Sequence, residues 1–392
     1  MPGVGRRLVV VVTVVLAAVT TALPAAARGV PAGPKGDAFY QPPDPLPKAK
    51  PGTVIRARSI AAPTGARAWR VLYHSRTVSG ADIAVSGIVV APAGKAPKGG
   101  RPVVTWAHGT TGLADACAPS RFPNYASMVP YVTDLLHAGY VVAATDYEGL
   151  GTPGLHPYLV GESEGRGVLD AARAAEHVDG AGAGRDVIIA GHSQGGHAAL
   201  FAGELAASYA GDLHLLGVVA AAPAADLEVI LPAAGAIKTA GGFTVMAAEG
   251  FHAAYPDADP AIVLTKDAVA GASIVDRRCS GDVIRQYAGG AATVLRANPL
   301  TVAPWARLIH ENSDGNQPAG APVLIVQGAA DPLVVRPLTD AFVKKACALG
   351  DKIDYRVYPG ADHGSVINAA HTDVLEWIAK VVDGAAVPST CP

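Results

Sequence analysis

The feature that most restricts the fold of this chain is the run Gly191-His192-Ser193-Gln194-Gly195, which Gly196 follows. A short apolar segment, 187–190, precedes it, and an Ala-rich segment typical of a helix follows it. A serine between two glycines at a strand-to-helix junction matches the G-x-S-x-G pattern, in which the turn is sharp and the hydroxyl is exposed. The pattern therefore predicts that Ser193 is a nucleophile at the edge of a sheet.

A serine nucleophile needs a histidine as base and an acidic residue that orients the histidine. In proteins with this motif, the acidic residue and then the histidine follow the serine along the chain. Of the histidines after Ser193, only His363 follows a predicted strand in a loop before a predicted helix. Asp331 comes directly after the apolar strand 323–328 and can orient His363. Asp362 is a competing acid, but its adjacency to His363 makes contact between the side chains awkward. His197 is expected to pack or to face solvent.

Two backbone amides are expected to stabilise an oxyanion beside Ser193. The amide of Gln194 lies at the predicted start of a helix, where backbone N–H groups are free to donate. The second donor is expected in the loop His108-Gly109-Thr110-Thr111-Gly112, which follows the apolar strand 103–107. Thr110 is the first choice for that donor, and Thr111 is the alternative.

Short apolar runs alternate with helical patterns over most of the chain, which predicts a mostly parallel central sheet flanked by helices. Half of the residues are hydrophobic and 16% are charged, so a large core can form. Three alternating segments near the start predict antiparallel strands at 54–60, 69–78 and 83–90. Later strands are predicted at 103–107, 140–144, 187–190, 216–222, 323–326 and 353–358. Helices are predicted at 125–138, 162–179, 195–209, 336–348 and 366–382.

The interval between the strands near Ala222 and Val323 is too long for a simple crossover. Residues 223–320 are therefore predicted to form a helical cap inserted over the carboxyl ends of the strands. Residues 53–222 and 321–392 are predicted to form the core, and the Pro-rich segment 28–52 an extended arm.

Residues 1–27 have the pattern of a secretory signal peptide. Arg6 and Arg7 precede an apolar run, 8–23, and an Ala-x-Ala site ends at Ala27. The alternative is an uncleaved membrane anchor, for which the run is short. The signal peptide predicts export to the extracellular space. The net charge of −2 gives no reason to expect binding to nucleic acid.

The four cysteines, an even number in a chain predicted to be exported, predict two disulfides, for which three pairings exist. We favour Cys117 with Cys279, which would tie a loop to the insertion. Cys347 would then pair with Cys391 and fix the C-terminal tail.

No metal or cofactor is predicted. The cysteines lack the close C-x-x-C spacing of a metal site. The run 312–316 contains acidic and amide side chains but lacks the later glutamate of a calcium loop, so an exposed turn is expected there.

With these residues together, the chain resembles the secretory lipase family over about residues 38–391. The motifs that carry the resemblance are Phe39-Tyr40, Pro42-Pro43, Leu46-Pro47, Pro51 to Arg56, His108-Gly109-Thr110, Cys117 to Ser120, Gly191 to Gly196, Asp331-Pro332 and Asp362 to Gly364. Yeast members carry an acidic side chain in the oxyanion loop, where this chain has Thr110, as several bacterial members do.

The resemblance implies an α/β-hydrolase fold, a triad of Ser193, Asp331 and His363, a helical cap, and the disulfide pairing given above. It implies hydrolysis of carboxylic esters, often acylglycerols, without a cofactor. The expected partners are a lipid or small ester substrate and, transiently, a lipid interface, and the chain is expected to be a monomer. Alternatives are a serine peptidase or an acyltransferase on the same fold, and a catalytically silent exported binding protein.

Overall fold

The computed structural model describes residues 1–5 and 29–392. The predicted signal peptide, with Arg6 and Arg7, falls almost wholly outside the described residues. The strands are β1 Val54–Ile60, β2 Ala66–Arg76, β3 Asp82–Pro92, β4 Arg101–Ala107, β5 Val141–Thr145, β6 Ala183–His192, β7 His214–Ala221, β8 Val323–Gly328 and β9 Ile353–Tyr358.

All of these strands belong to one sheet, in the order β1-β2-β3-β5-β4-β6-β7-β8-β9. From β5 to β9 every neighbouring pair is parallel. β1, β2 and β3 pair antiparallel, and β3 joins the rest antiparallel to β5. Every residue of β5 and β8 is buried, which explains their uninterrupted apolar sequences.

The α-helices are α1 Val132–His137, α2 Gly161–Glu176, α3 Gln194–Tyr209, α4 Leu227–Ala233, α5 Ala240–Ala254, α6 Pro260–Val263, α7 Lys266–Gly271, α8 Ser280–Gln286, α9 Trp305–Glu311, α10 Arg336–Ala348, α11 Val366–Ala369 and α12 His371–Val382. Residues of α2, α3 and α10 pack in one apolar cluster against the sheet. Residues of α1 and α12 pack in a second cluster, which includes side chains from the alternate positions of the same strands. The sheet is thus covered by helices on both faces.

The helix predicted over 125–138 is wrong in its first half. A short 3₁₀ helix, Tyr125–Met128, stands there, and α1 begins only at Val132. Pro130 has no N–H to continue a helix, and Tyr131 has a left-handed φ of 61°. These two residues separate the two segments.

Residues 223–320 contain α4 to α9 and no named strand. They have an apolar cluster of their own, in which Val245, Phe251, Trp305 and Ile309 are fully or nearly fully buried. The insertion is thus a packed helical layer with its own small core.

The N-terminal arm is tied to the core by aromatic side chains. Phe39 and Tyr40 are buried, and they pack with Leu72 and Ala84. The arm therefore contributes to the core, although most of it is irregular.

Two disulfides are present, Cys117–Cys279 and Cys347–Cys391. The first joins a loop of the core to the start of α8 in the cap. The second joins the end of α10 to the C-terminal tail. This is the pairing that the sequence favours among the three.

Replacing both Cys117 and Cys279 by serine is expected to lower the free energy of unfolding by about 2–5 kcal/mol. The bond spans 162 residues, against 44 for Cys347–Cys391. Because a longer loop loses more entropy when it is closed, removal of the second bond is expected to cost about 1 kcal/mol less. Urea denaturation of the two double variants measures the difference. Equal losses would argue against a loop-entropy origin.

No helix within residues 1–5 and 29–392 has the length and apolar character needed to cross a membrane.

Candidate active site

The turn that carries Ser193 joins β6 directly to α3. Ser193 has φ 60° and ψ −119°, a strained conformation for a residue with a side chain. A Cβ atom on Gly191 would overlap the carbonyl oxygen of Gly195, and one on Gly195 would overlap the carbonyl oxygen of Ala107. Both glycines of the motif are therefore required by the close approach of backbone segments.

Three side chains form a continuous line of hydrogen bonds at the carboxyl ends of the strands. Ser193 Oγ lies 2.8 Å from His363 Nε2, and His363 Nδ1 lies 2.7 Å from Asp331 Oδ2. With the imidazole proton on Nδ1, His363 donates to Asp331 and its Nε2 accepts from the serine hydroxyl. The arrangement can remove the proton of the hydroxyl and hold the resulting imidazolium.

The orientation of the Asp331 carboxylate is fixed on both oxygens. Its Oδ1 accepts from the amides of Leu333 (2.8 Å) and Val334 (3.0 Å). Its Oδ2 accepts from Gln327 Nε2 at 3.2 Å in addition to His363. The carboxylate is buried.

Asp362, the competing acid, is exposed and takes part in a local turn. Its carboxylate accepts from the amides of Gly364 and Ser365 and from the Ser365 hydroxyl. The structure brings Asp331, and not Asp362, to the imidazole of His363.

The loop expected to supply the second oxyanion donor lies beside Ser193. A Cβ atom built on Gly109 would be 3.7 Å from Ser193 Cβ. Thr110 Oγ1 lies 2.9 Å from Tyr158 OH, and the carbonyl of Thr111 accepts from the amide of Ser280 in the cap. The Ser280 hydroxyl also donates to the Thr110 carbonyl at 3.4 Å, so Thr110 is held by Tyr158 on one side and by the cap, next to the Cys117–Cys279 bond, on the other.

His192, inside the serine motif, ties two parts of the site together, a contact that the sequence does not reveal. Its Nε2–H donates to the carbonyl oxygen of His363 at 2.8 Å, and the two rings lie 4.8 Å apart. Burial, together with the neighbouring His363, lowers the pKa of His192 to about 4. His192 is therefore neutral near pH 7 and anchors the loop of His363 to the turn of Ser193.

The exposed turn predicted at 312–316 is wrong for its first four residues, because Asn312, Ser313, Asp314 and Gly315 are buried and Asn316 alone is exposed. Asn312 lies between the cap and the core. Its side chain donates to the Leu308 carbonyl and accepts from the Gly161 amide. The bond to Gly161 crosses the interface between cap and core, whereas neither carboxylate oxygen of Asp314 has a hydrogen-bond partner among the described residues.

A cavity of about 480 Å³ opens onto the serine and the histidine. Its walls come from the core loops and from the cap. The cap contributes mainly apolar side chains, which are Leu227, Ile230, Leu231, Ala234, Ile237, Ala240, Phe243, Thr244, Ala247 and Ile284. A second, smaller cavity shares several of these lining residues and is also lined by Phe251, Trp305 and Ile309. Side chains of residues 223–320 thus line the cavity that Ser193 and His363 border.

A mostly parallel sheet flanked by helices, with a serine on a strand-to-helix turn and a histidine after the last strand, defines the α/β-hydrolase fold. A solved structure of Candida antarctica lipase A superposes with a TM-score of 0.77, covering 90% of this chain and 87% of that chain at 22% identity. The fold predicted from the sequence is thus confirmed.

The family model described as secretory lipase matches residues 126–389, and the chain belongs to this family. "Lipase A" of Moesziomyces aphidis is 25% identical over 97% of this chain and 88% of its own length. "Secreted triacylglycerol lipase LIP7" of Malassezia globosa is 26% identical over 91% of this chain and 81% of its own. These findings confirm an ester hydrolase of the lipase and esterase class.

A Mycobacterium tuberculosis protein named "Probable inactive lipase MT1628" is also similar, at 26% identity over 88% of this chain and 81% of its own. Relatives at this level of similarity therefore include a protein named as inactive. Whether this chain is active depends on its own side chains.

Proposed function

We propose that this protein is an active serine hydrolase of carboxylic esters, with Ser193 as nucleophile, His363 as general base and acid, and Asp331 as the orienting carboxylate. The observation that carries the proposal is the unbroken line of hydrogen bonds from the Ser193 hydroxyl through His363 to Asp331. Each of the three roles needs the contact that this geometry provides.

In the proposed cycle, Ser193 Oγ attacks the ester carbonyl while its proton passes to His363 Nε2. His363 then protonates the leaving alcohol, and an acyl-enzyme remains on Ser193. A water molecule, deprotonated by His363, hydrolyses the acyl-enzyme and restores the serine hydroxyl. The cycle uses no metal or cofactor.

The amides of Gln194 and Thr110 are the proposed donors to the oxyanion that forms in both steps. Gln194 begins α3, so its N–H is not used within the helix. Thr110 borders the cavity beside Ser193.

The proposed substrates are acylglycerols or related esters. The cavity falls in the size range of ligand pockets, and its apolar walls suit an acyl chain. Names of relatives that include triacylglycerol lipase support this choice. We further propose that the protein acts as a monomer outside the cell, with transient contact to lipid interfaces.

Replacing Ala247 by tryptophan is expected to shorten the acyl chains that the enzyme accepts. Ala247 lies on α5 and lines both the main cavity and the smaller cavity, so an indole ring there would fill space that the far end of a long acyl chain needs. We expect kcat/KM for a palmitoyl ester to fall about 10–100-fold, while that for a butyryl ester changes little.

Ala261→Trp, at an exposed position of α6, is the matched control. An equal loss for short and long esters in Ala247→Trp would contradict the placement of the acyl chain.

The proposed function is tested with a fluorophosphonate probe and a substrate panel. The probe is expected to label Ser193, located by mass spectrometry of the digested protein, and esters are expected to be hydrolysed in preference to peptides. A silent binding protein would not be labelled. A peptidase or acyltransferase would be labelled but would prefer amide substrates or an alcohol acceptor over water.

A further inference from the structure

The side chain of Gln194 is held in place by two hydrogen bonds. Gln194 directly follows Ser193 and is only 2% exposed. Its Nε2 donates to Glu164 Oε1 at 2.7 Å and to His156 Nε2 at 2.8 Å. Since any residue supplies a backbone amide at this position, the side chain needs a role of its own.

Glu164 accepts this bond from the first turn of α2, where its side chain is fully buried. Its Oε1 also accepts from the Leu159 amide at 2.9 Å, and its Oε2 lies 3.1 Å from His197 Nδ1. His197 Nε2 lies 2.8 Å from the Asn312 carbonyl, so both of its ring nitrogens face acceptors. Although burial lowers it, the nearby Asp314 and Glu164 carboxyls raise the pKa of His197 to about 9. His197 therefore carries a proton on both ring nitrogens near pH 7, and its Nδ1–H donates to Glu164 Oε2 and fixes that side chain.

His156 is fixed in the matching tautomer. Its Nδ1 lies 2.9 Å from the carbonyl oxygen of Glu148 and donates to it, which leaves Nε2 as an acceptor for Gln194. Burial lowers the pKa of His156 to about 4, so the ring stays neutral near pH 7. Both protons of the Gln194 amide group are thus used in one orientation.

We propose that Glu164 and His156 are positioning residues that clamp the Gln194 side chain and thereby aim its backbone N–H at the oxyanion. The proposal rests on the serine mechanism proposed above. Ser193 is strained at φ 60°, so the peptide that follows it needs support from outside the turn. A preorganised donor costs no reorganisation when charge develops on the substrate.

The contact between α2 and α3 does not depend on this clamp. A Cβ atom on Gly165 would lie 3.1 Å from the Ala202 amide nitrogen, and one on Gly161 would overlap the Phe201 ring. The two helices are therefore already packed closely through small residues. This separates a role in aiming the amide from a role in docking the helices.

The test compares Gln194→Ala, Glu164→Ala and the double variant with the full-length wild type. The concentration of active sites is first determined on a separate aliquot of each protein by titration with a fluorophosphonate. Then kcat and KM are measured for p-nitrophenyl butyrate, and Ki for a trifluoromethyl ketone, whose adduct with Ser193 carries an oxyanion. Each single variant is expected to lose about 10–100-fold in kcat and the same factor in ketone affinity, with KM within about twofold.

The double variant is expected to lose no more than the worse single variant, since both remove one clamp. Glu164→Gln is expected to keep most of the activity, because its carbonyl can still accept from Leu159 and Gln194. Glu204→Ala is the control. Glu204 lies on α3, as Gln194 does, and its carboxylate accepts from the Gly315 amide. Gln194→Ala leaves the pair of Glu164 and His197 intact, so it tests the proposal even where Glu164→Ala does not fold.

Wild-type kcat and ketone affinity in Gln194→Ala would overturn the clamp, as would a change in KM alone or multiplicative losses in the double variant. These outcomes differ from failure of the serine mechanism, in which the wild type itself would not be labelled at Ser193.

Discussion

Replacement of Ser193 by alanine is expected to lower kcat/KM for a short p-nitrophenyl ester by at least about 10⁴-fold. The hydroxyl lies within hydrogen-bond distance of Nε2 of the proposed base, and the acyl-enzyme cannot form without it. The backbone of the turn is held by other bonds, including one of 2.9 Å from the Ser193 amide to the Ala221 carbonyl. We therefore expect little change in the melting temperature, measured by circular dichroism.

Ser208→Ala is the matched control for this experiment. Ser208 lies near the end of the same helix α3, is exposed, and its hydroxyl donates to the Leu205 carbonyl in its own turn. Its replacement is expected to leave the rate unchanged. Near-normal turnover by Ser193→Ala would refute the serine mechanism, and so would a wild-type protein that does not hydrolyse esters.

The nucleophile turn and its partners could be predicted because their signals are local. The glycines beside Ser193 are required by steric overlap with neighbouring backbone, and this need is readable as a motif between a strand and a helix. Asp331 and His363 each follow a core strand, and the carboxyl ends of parallel strands meet at one edge of the sheet. The positions of these residues along the chain, each after a core strand, were thus sufficient to predict that they lie close together.

The groups that support the site could not be predicted in this way. Glu164 and His156 meet Gln194 only through the packing of α2 and its preceding loop on α3, and no spacing along the chain marks them. The burial of Asn312 depends on the contact between cap and core. The composition of residues 312–316, rich in Asn, Asp and Gly, resembles that of an exposed turn.

The contacts of Asp331 make the outcome of an isosteric change unusually specific. In Asp331→Asn, the carbonyl oxygen is expected at the Oδ1 position, because the amides of Leu333 and Val334 donate there. The new NH₂ group then occupies the Oδ2 position, opposite His363 Nδ1. It can only donate, so the imidazole proton moves to Nε2, and Nε2 no longer accepts from Ser193.

We therefore expect Asp331→Asn to lose about 10⁴-fold in kcat, which is about 5.5 kcal/mol of transition-state stabilisation. Stability should fall moderately, since the NH₂ group also faces the Gln327 amide that donates to Oδ2 in the wild type. Asp362→Asn changes the exposed neighbouring carboxylate and is expected to keep the wild-type rate. Steady-state kinetics on the two variants assigns the acid, because a large loss in Asp362→Asn with normal turnover in Asp331→Asn would reverse the assignment.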